Sequence, residues 1–268
     1  MTTVIKAFLR KDLLVETSYR LSFVLGSLST LTGMAVFYFI DRLFGRTFNP
    51  YLGGYGAGYF EYVFAASAFF GYIGTGAGSY SARLRDEQVQ GTLDATLSSP
   101  VSTPVFLLSL TAWNFLFATF ELAVYVVAGV FVFGLDLSRA DLPALAAVFL
   151  LSAVSFASLG ILSSCFVLLF KRGNPAAWLL NNFEGLLGGV YFPVAVLPSW
   201  LQWFSGALPI TYAVRALQHA LYRGAGVGEL MPELLTLLAF ALVLAPLSAA
   251  AFSAALRKAR KDGSLGQY

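Results

Sequence analysis

The sequence predicts an all-α membrane protein with six transmembrane helices in one domain spanning residues 1–268. Three observations lead there. Hydrophobic residues make up 58% of the chain and charged residues only 12%, about half the charged share of a soluble domain. Six apolar windows are each long enough to cross about 30 Å of hydrocarbon as a helix. The cations also fall unevenly about these windows. With the N-terminus in the cytoplasm, five of the 17 lysines and arginines lie outside: Arg42, Arg46, Arg139, Arg215 and Arg223. The other twelve lie inside, as the positive-inside rule requires. A soluble chain this apolar could not cover its own surface.

Taken in order, Thr2–Thr17 places Val4, Ile5, Phe8, Leu9 and Leu13 on one half of a helical wheel, with Lys6 and Arg10 opposite. Asp12 and Glu16 intrude on the apolar half. This predicts an interfacial helix within residues 1–20, lying on the cytoplasmic membrane surface. Leu21–Ile40 is the first span. Pro50 and the glycines at 53, 54, 56 and 58 make Asp41–Gly58 an outer loop. Tyr59–Ala82 is the second span, where the small-xxx-small spacing of Gly74 and Gly78 predicts close approach of another helix.

Residues 83–103 form the largest inner loop. Val105–Phe133 and Leu142–Phe170 are the third and fourth spans, joined by a short outer turn at Leu135–Asp141. Both approach 30 residues, so they tilt or extend beyond the lipid. Lys171-Arg172-Gly173 is an inner turn, and Pro175–Leu197 is the fifth span, ending about Tyr191-Phe192-Pro193. The outer region 192–231 is not polar. Trp200, Trp203 and Phe204 follow Pro198, and Pro209 precedes an amphipathic run, Tyr212–Arg223, that Gly224 stops. Two short helices too small to span, rich in Trp and Tyr, suit the membrane interface or a partial dip into it. Leu234–Leu256 is the sixth span, and its basic tail Arg257–Lys261 reads as an anchor on anionic lipid rather than a nucleic-acid site.

Several classes of function find no support. One cysteine, Cys165, permits no internal disulfide. One histidine, His219, without a cysteine or carboxylate cluster, argues against a metal site. No Gly-Lys dipeptide occurs anywhere, so a P-loop is impossible and with it the lysine that holds nucleotide phosphates. Mixed charges at the N-terminus and a long first apolar run argue against a cleavable signal peptide. No nucleophile–base pair suggests an enzyme.

The inner loop carries the most pattern. Val89, Leu93 and Leu97 recur every four residues, flanked by charge, and Ser98-Ser99-Pro100 ends the run. A short amphipathic helix there, with Gly91 allowing close backbone approach, suits docking into a partner's groove or lying against lipid. The segment Glu87-x-x-x-Gly91-Thr92-Leu93-Asp94-x-x-Leu97-x-Ser99-Pro100 resembles the E-x-x-x-G-T-L-E-x-L-L-x-x-P loop of ABC-2 type transporter permeases. Phe192-Pro193 and Leu208-Pro209-Ile210-Thr211-Tyr212 resemble the outer stretch those permeases carry before their last span. The departures are mild, Asp94 for the commoner Glu and Thr96 for the commoner Leu.

The resemblance implies a permease subunit of an ABC exporter with no cofactor of its own. Such permeases pair with a second permease subunit, expected here as a homodimer, and with two copies of a cytoplasmic ATP-binding subunit that hold ATP and Mg. It implies that Glu87, Gly91, Thr92, Leu93 and Leu97 couple to that subunit and that both termini are cytoplasmic, in the cell membrane. It further implies that spans two and five face a central cavity, where Phe64, Phe69 and Phe70 would join the path. The polar cluster Asn181, Asn182 and Glu184 in span five is either glue between helices or lining of that path. The alternative is a secondary transporter using Glu121 or Glu184 as a proton site, but no paired halves with broken helices are visible. The phenylalanine-rich interior suits a hydrophobic or amphipathic cargo such as a drug, a lipid or a lipid-linked glycan.

Overall fold

A computed structural model of the chain describes residues 9–11, 13–14, 32–44, 50–91, 103–170 and 182–261, and all regular structure among them is helical. We number the helices α1 (32–44), α2 (Tyr59–Val89), α3 (Thr103–Phe131), α4 (Leu142–Phe170), α5 (182–187), α6 (Ser199–Gly206), α7 (Pro209–Gln218) and α8 (Met231–Lys261). One turn of 3₁₀ helix, Val194–Val196, precedes α6, and α7 runs on into a π-helical segment, His219–Arg223.

Three of these helices are long and apolar enough to cross a membrane: α3 over Val105–Phe131, α4 over Leu142–Leu168 and α8 over Met231–Ala259. Their outer faces show large apolar side chains, among them Leu116, Phe120 and Val127 on α3, Leu150 on α4, and Leu242 and Val243 on α8. Such surface is stable against lipid and costly against water. Buried hydroxyls on α3 and α4 are satisfied within their own helices: Ser109, Ser155 and Ser158 donate to the carbonyls of Val105, Leu151 and Val154. That removes the cost of a bare polar group in hydrocarbon.

The other expected spans meet the structure in different ways. Most of Leu21–Ile40 lies outside the described residues, and α1 covers its end. The second span is longer than expected: α2 runs to Val89, so the first seven positions assigned to the inner loop are helical. Burial explains the extension, since Leu84, Glu87 and Gln88 on that last stretch are all enclosed. Of the fifth span, 175–181 lie outside the described residues, and α5 stops at Leu187, short of the expected ending about Tyr191-Phe192-Pro193. Gly189, at φ +82°, turns the chain there in a conformation that side chains resist.

Helix α4 is the centre of the bundle, packed against α2 on one side and α8 on the other, while α7 wedges between α2, α4 and α8. Two apolar cores form along it. The larger joins Tyr62, Phe69 and Ile73 of α2 to Val148 and Phe156 of α4, Ile210 and Leu217 of α7, and Leu237 of α8. The smaller, at the opposite end, joins Tyr80 and Leu84 to Phe106, Leu110, Leu168 and Phe252. Between them α2 and α4 cross closely. The crossing does not use Gly74 or Gly78, around which nothing described comes within 4 Å. It uses Gly160, where any Cβ would overlap the Gly76 carbonyl oxygen and lie 2.9 Å from that of Ala77. A helix facing Gly74 and Gly78, as their spacing expects, is not among the described residues.

Candidate functional sites at the two ends of α2

At one end, α2 terminates in the motif that the sequence singles out. Glu87 is buried, and its Oε1 receives a 2.6 Å ion pair from Nζ of Lys11, a residue of the N-terminal segment. The helix closes through the Gln90 and Gly91 amides, which donate to the carbonyls of Asp86 and Gln88. Gly91 sits at φ +70°, a left-handed stop that a Cβ disfavours. The backbone therefore breaks helix between Val89 and Leu93, although their spacing placed them on one continuous face. Gly91 instead releases the chain at the tip of α2. Thr92, Leu93 and Leu97 lie outside the described residues. Nearby, Nη2 and Nε of Arg83 donate to Asn114 Oδ1 at 2.7 and 3.1 Å, tying α2 to α3.

At the other end, α2 is pinned by hydrogen bonds from distant segments. The Gly58 amide donates to Glu61 Oε2 at 2.8 Å, capping the first turn. The Tyr62 hydroxyl donates to the Gly189 carbonyl at 2.6 Å, Gln218 Nε2 donates to the Tyr62 carbonyl at 2.8 Å, and the Tyr222 hydroxyl donates to the Glu61 carbonyl at 2.9 Å. Burial pushes the Tyr222 phenol up, so it stays a donor across physiological pH. The last three contacts join α2, the turn after α5 and the α7–π segment.

The candidate path residues separate into two places. Phe64 and Phe69 line an apolar pocket of about 320 Å³ together with Leu122, Leu135, Phe149 and Leu217. There Phe64 stacks among Tyr125 and Phe133, and Phe69 meets Phe149 edge-on at 4.9 Å. Phe70 points elsewhere, to Gly185 of α5, whose Cβ position lies 3.5 Å from Phe70 Cε1. Span two and span five do touch, at that residue. Glu184 beside it is buried, and its Oε1 has no hydrogen-bond partner among the described residues. Asn182 is exposed, and Asn181 lies outside the described residues. Glu121 is only partly buried on α3.

The sequence over residues 3–222 matches the family described as ABC-2 type transporter. The chain belongs to that family. No curated protein matches it. As an ABC-2 type permease it is a membrane component of an ABC-type transport system, in a family that normally works with an ATP-binding subunit and is not generally catalytic itself. The secondary-transporter reading through Glu121 or Glu184 gives way to this membership. The residues that sequence reasoning missed in this permease are long-range partners. Lys11 was one basic residue among many, and nothing near it in sequence signals a partner 76 positions away. Gln218 and Tyr222 were visible as part of an amphipathic run, but not as the residues that grip α2.

Proposed function

We propose that this permease is the membrane half of an exporter driven by ATP on a separate subunit, and that the tip of α2 is where the two are joined. The observation that carries the reading is an ABC-2 region covering residues 3–222 in a chain with no Gly-Lys dipeptide to build a P-loop. Energy must then come from a partner. Two ATP-binding subunits, holding ATP and Mg, would seat against the segment from Glu87 through Gly91, Thr92 and Leu93 to Leu97. Lys11 beside Glu87 supports a docking surface shared with the N-terminal segment. Both termini lie in the cytoplasm on this reading, and a second copy of the chain completes the path across the cell membrane.

The mechanism follows from the shape of α2. A helix of 31 residues is a rod of about 46 Å, stiff enough to carry a displacement at its tip to the crossing with α4. ATP closes the partner subunits, moves the tips, and favours the outward-open state by binding it more tightly than the inward-open one. The apolar pocket at Phe64 and Phe69, and the Phe70–Gly185 contact facing span five, support a hydrophobic or amphipathic cargo. The test is ATP turnover in proteoliposomes. The chain alone hydrolyses no ATP, and addition of its ATP-binding partner gives turnover that cargo stimulates. Turnover by the chain alone, surviving removal of contaminating ATPases, contradicts the reading.

A further inference from the structure

A polar pocket of about 420 Å³ opens at the end of the bundle away from Glu87, between the turn after α5 and the α6–α7 pair. Its polar wall is Tyr55, Gln202, Thr211, Arg215, His219 and Arg223, and among the described residues no carboxylate lines it. The volume lies within the range of small-molecule sites.

The three basic residues are spaced four apart, on one face of α7 and the π segment that continues it. The opposite face gives the chain no freedom to turn them away, because Ala213, Leu217 and Ala220 are in the main core and Gln218 and Tyr222 are bonded to α2. Arg215, His219 and Arg223 are therefore held toward the pocket. Arg215 and Arg223 are exposed at the mouth. Each guanidinium offers five N–H donors. Arg223 commits Nη1 to the Gly54 carbonyl at 3.1 Å, and Arg215 lies against the Tyr55 phenol. The Tyr55 ring lies 5.4 Å from His219 and 5.2 Å from Tyr62, so the back wall is rigid aromatic surface. Burial first, then the charge of Arg223, holds the His219 imidazole below its usual value despite Glu233, so it is a neutral ring with one N–H to donate. A π-helical segment carrying His219 and Arg223 fits a functional use, since such segments recur at binding sites.

We propose that this pocket is an anion-binding site that takes a phosphoryl or carboxylate group, with Arg215 and Arg223 as the charged fork and His219 as a neutral donor behind them. Guanidinium groups pair with such anions through two parallel hydrogen bonds. The group is the head of an anionic lipid or amphiphile, or a free anion. The site rests on this chain's own residues and not on the export reading, so the two fail separately.

The experiment uses the full chain in nanodiscs of zwitterionic phosphatidylcholine. Dioctanoyl phosphatidic acid, dioctanoyl phosphatidylcholine and inorganic phosphate are titrated, and binding and thermal midpoint are measured. The anionic lipid saturates at least about tenfold more tightly than the zwitterionic one. Replacing both arginines, R215Q with R223Q, weakens it by about tenfold or more, as loss of charge-assisted hydrogen bonds requires; R215K with R223K retains part of the binding. Ala195→Trp is the second variant, because Ala195 is an exposed lining residue whose enlargement fills the pocket without removing a partner. It abolishes binding with the unliganded thermal midpoint unchanged. Saturation by phosphate as tight as by the lipid assigns the same site to free anions. Absence of anion binding by the wild type, or equal binding by wild type and both pocket variants, overturns the proposal.

Discussion

The two ends of α2 are fastened by unlike means. The end at Glu61 and Tyr62 is held by buried, neutral hydrogen bonds between side chains and backbone carbonyls, from residues 127 to 161 positions away. Such bonds fix direction as well as distance, and each becomes costly when a partner leaves. The end at Glu87 adds to the Arg83–Asn114 bonds and the smaller core an ion pair whose lysine side chain is 47% exposed. A long cationic side chain reaching in from water to the buried Glu87 carboxylate tolerates changes in geometry on the lysine's side. The difference teaches where motion can enter. A helix held by directional bonds at one end and by an ion pair at its tip yields more easily at the tip, where Glu87 and Gly91 lie.

The strongest way to break this comparison is to destroy the contact between the ends. Gly160→Ala places a Cβ on the Gly76 carbonyl, which is backbone and cannot swing aside. We expect a loss of about 1–3 kcal/mol or more, read as a lower thermal midpoint in detergent. Wild-type stability in this variant would mean that α2 and α4 do not cross at Gly160.

The firm end is tested by Tyr62→Phe. It removes the hydroxyl but keeps the ring, leaving the Gly189 carbonyl without its 2.6 Å donor. The cost is about 1–3 kcal/mol, and the thermal midpoint falls accordingly. An unchanged midpoint would place the grip elsewhere.

The loose end gives the smallest effect on stability and the largest on coupling. Glu87→Gln keeps the volume and loses the charge, so it shifts stability by less than about 1 kcal/mol. Gly91→Pro cannot adopt φ +70°, since the pyrrolidine ring fixes φ near −65°, and it redirects the chain into Thr92 and Leu93. Both variants fold and reach the membrane, with Gly91→Pro losing most cargo-stimulated ATP turnover and Glu87→Gln part of it. Full transport by both at wild-type abundance would remove the coupling role from this tip.

How much of this was legible in the sequence differs between the two ends as well. Length and apolarity gave α4 to the residue, α3 within two residues at each end and α8 within five, because the apolar length of a span is read from composition. The short helices α6 and α7 were legible from Pro198, Pro209 and Gly224, which punctuate the chain whatever surrounds them. The reach of α2 to Val89 was not, because its last turns carry charges and are kept helical by burial beside Lys11. The halt of α5 at Leu187 was missed for the converse reason. Val190 to Val196 are apolar enough to continue a span, and Gly189, the Tyr62 hydroxyl and Pro193 divert them. The basic pocket was present as a polar face on Tyr212–Arg223, but its aromatic back wall comes from Tyr55 and Tyr62, more than 150 positions earlier. A single sequence carries periodicity within an element and no record of which distant element it meets.

The comparison is tested most directly by hydrogen–deuterium exchange on the complex with its ATP-binding subunit, with and without ATP. The account predicts that amides of residues 84–91 change their exchange on ATP binding, while those of residues 59–65 and 209–218 stay protected and unchanged. Changes confined to residues 59–65 and 209–218, with 84–91 indifferent to ATP, would contradict it.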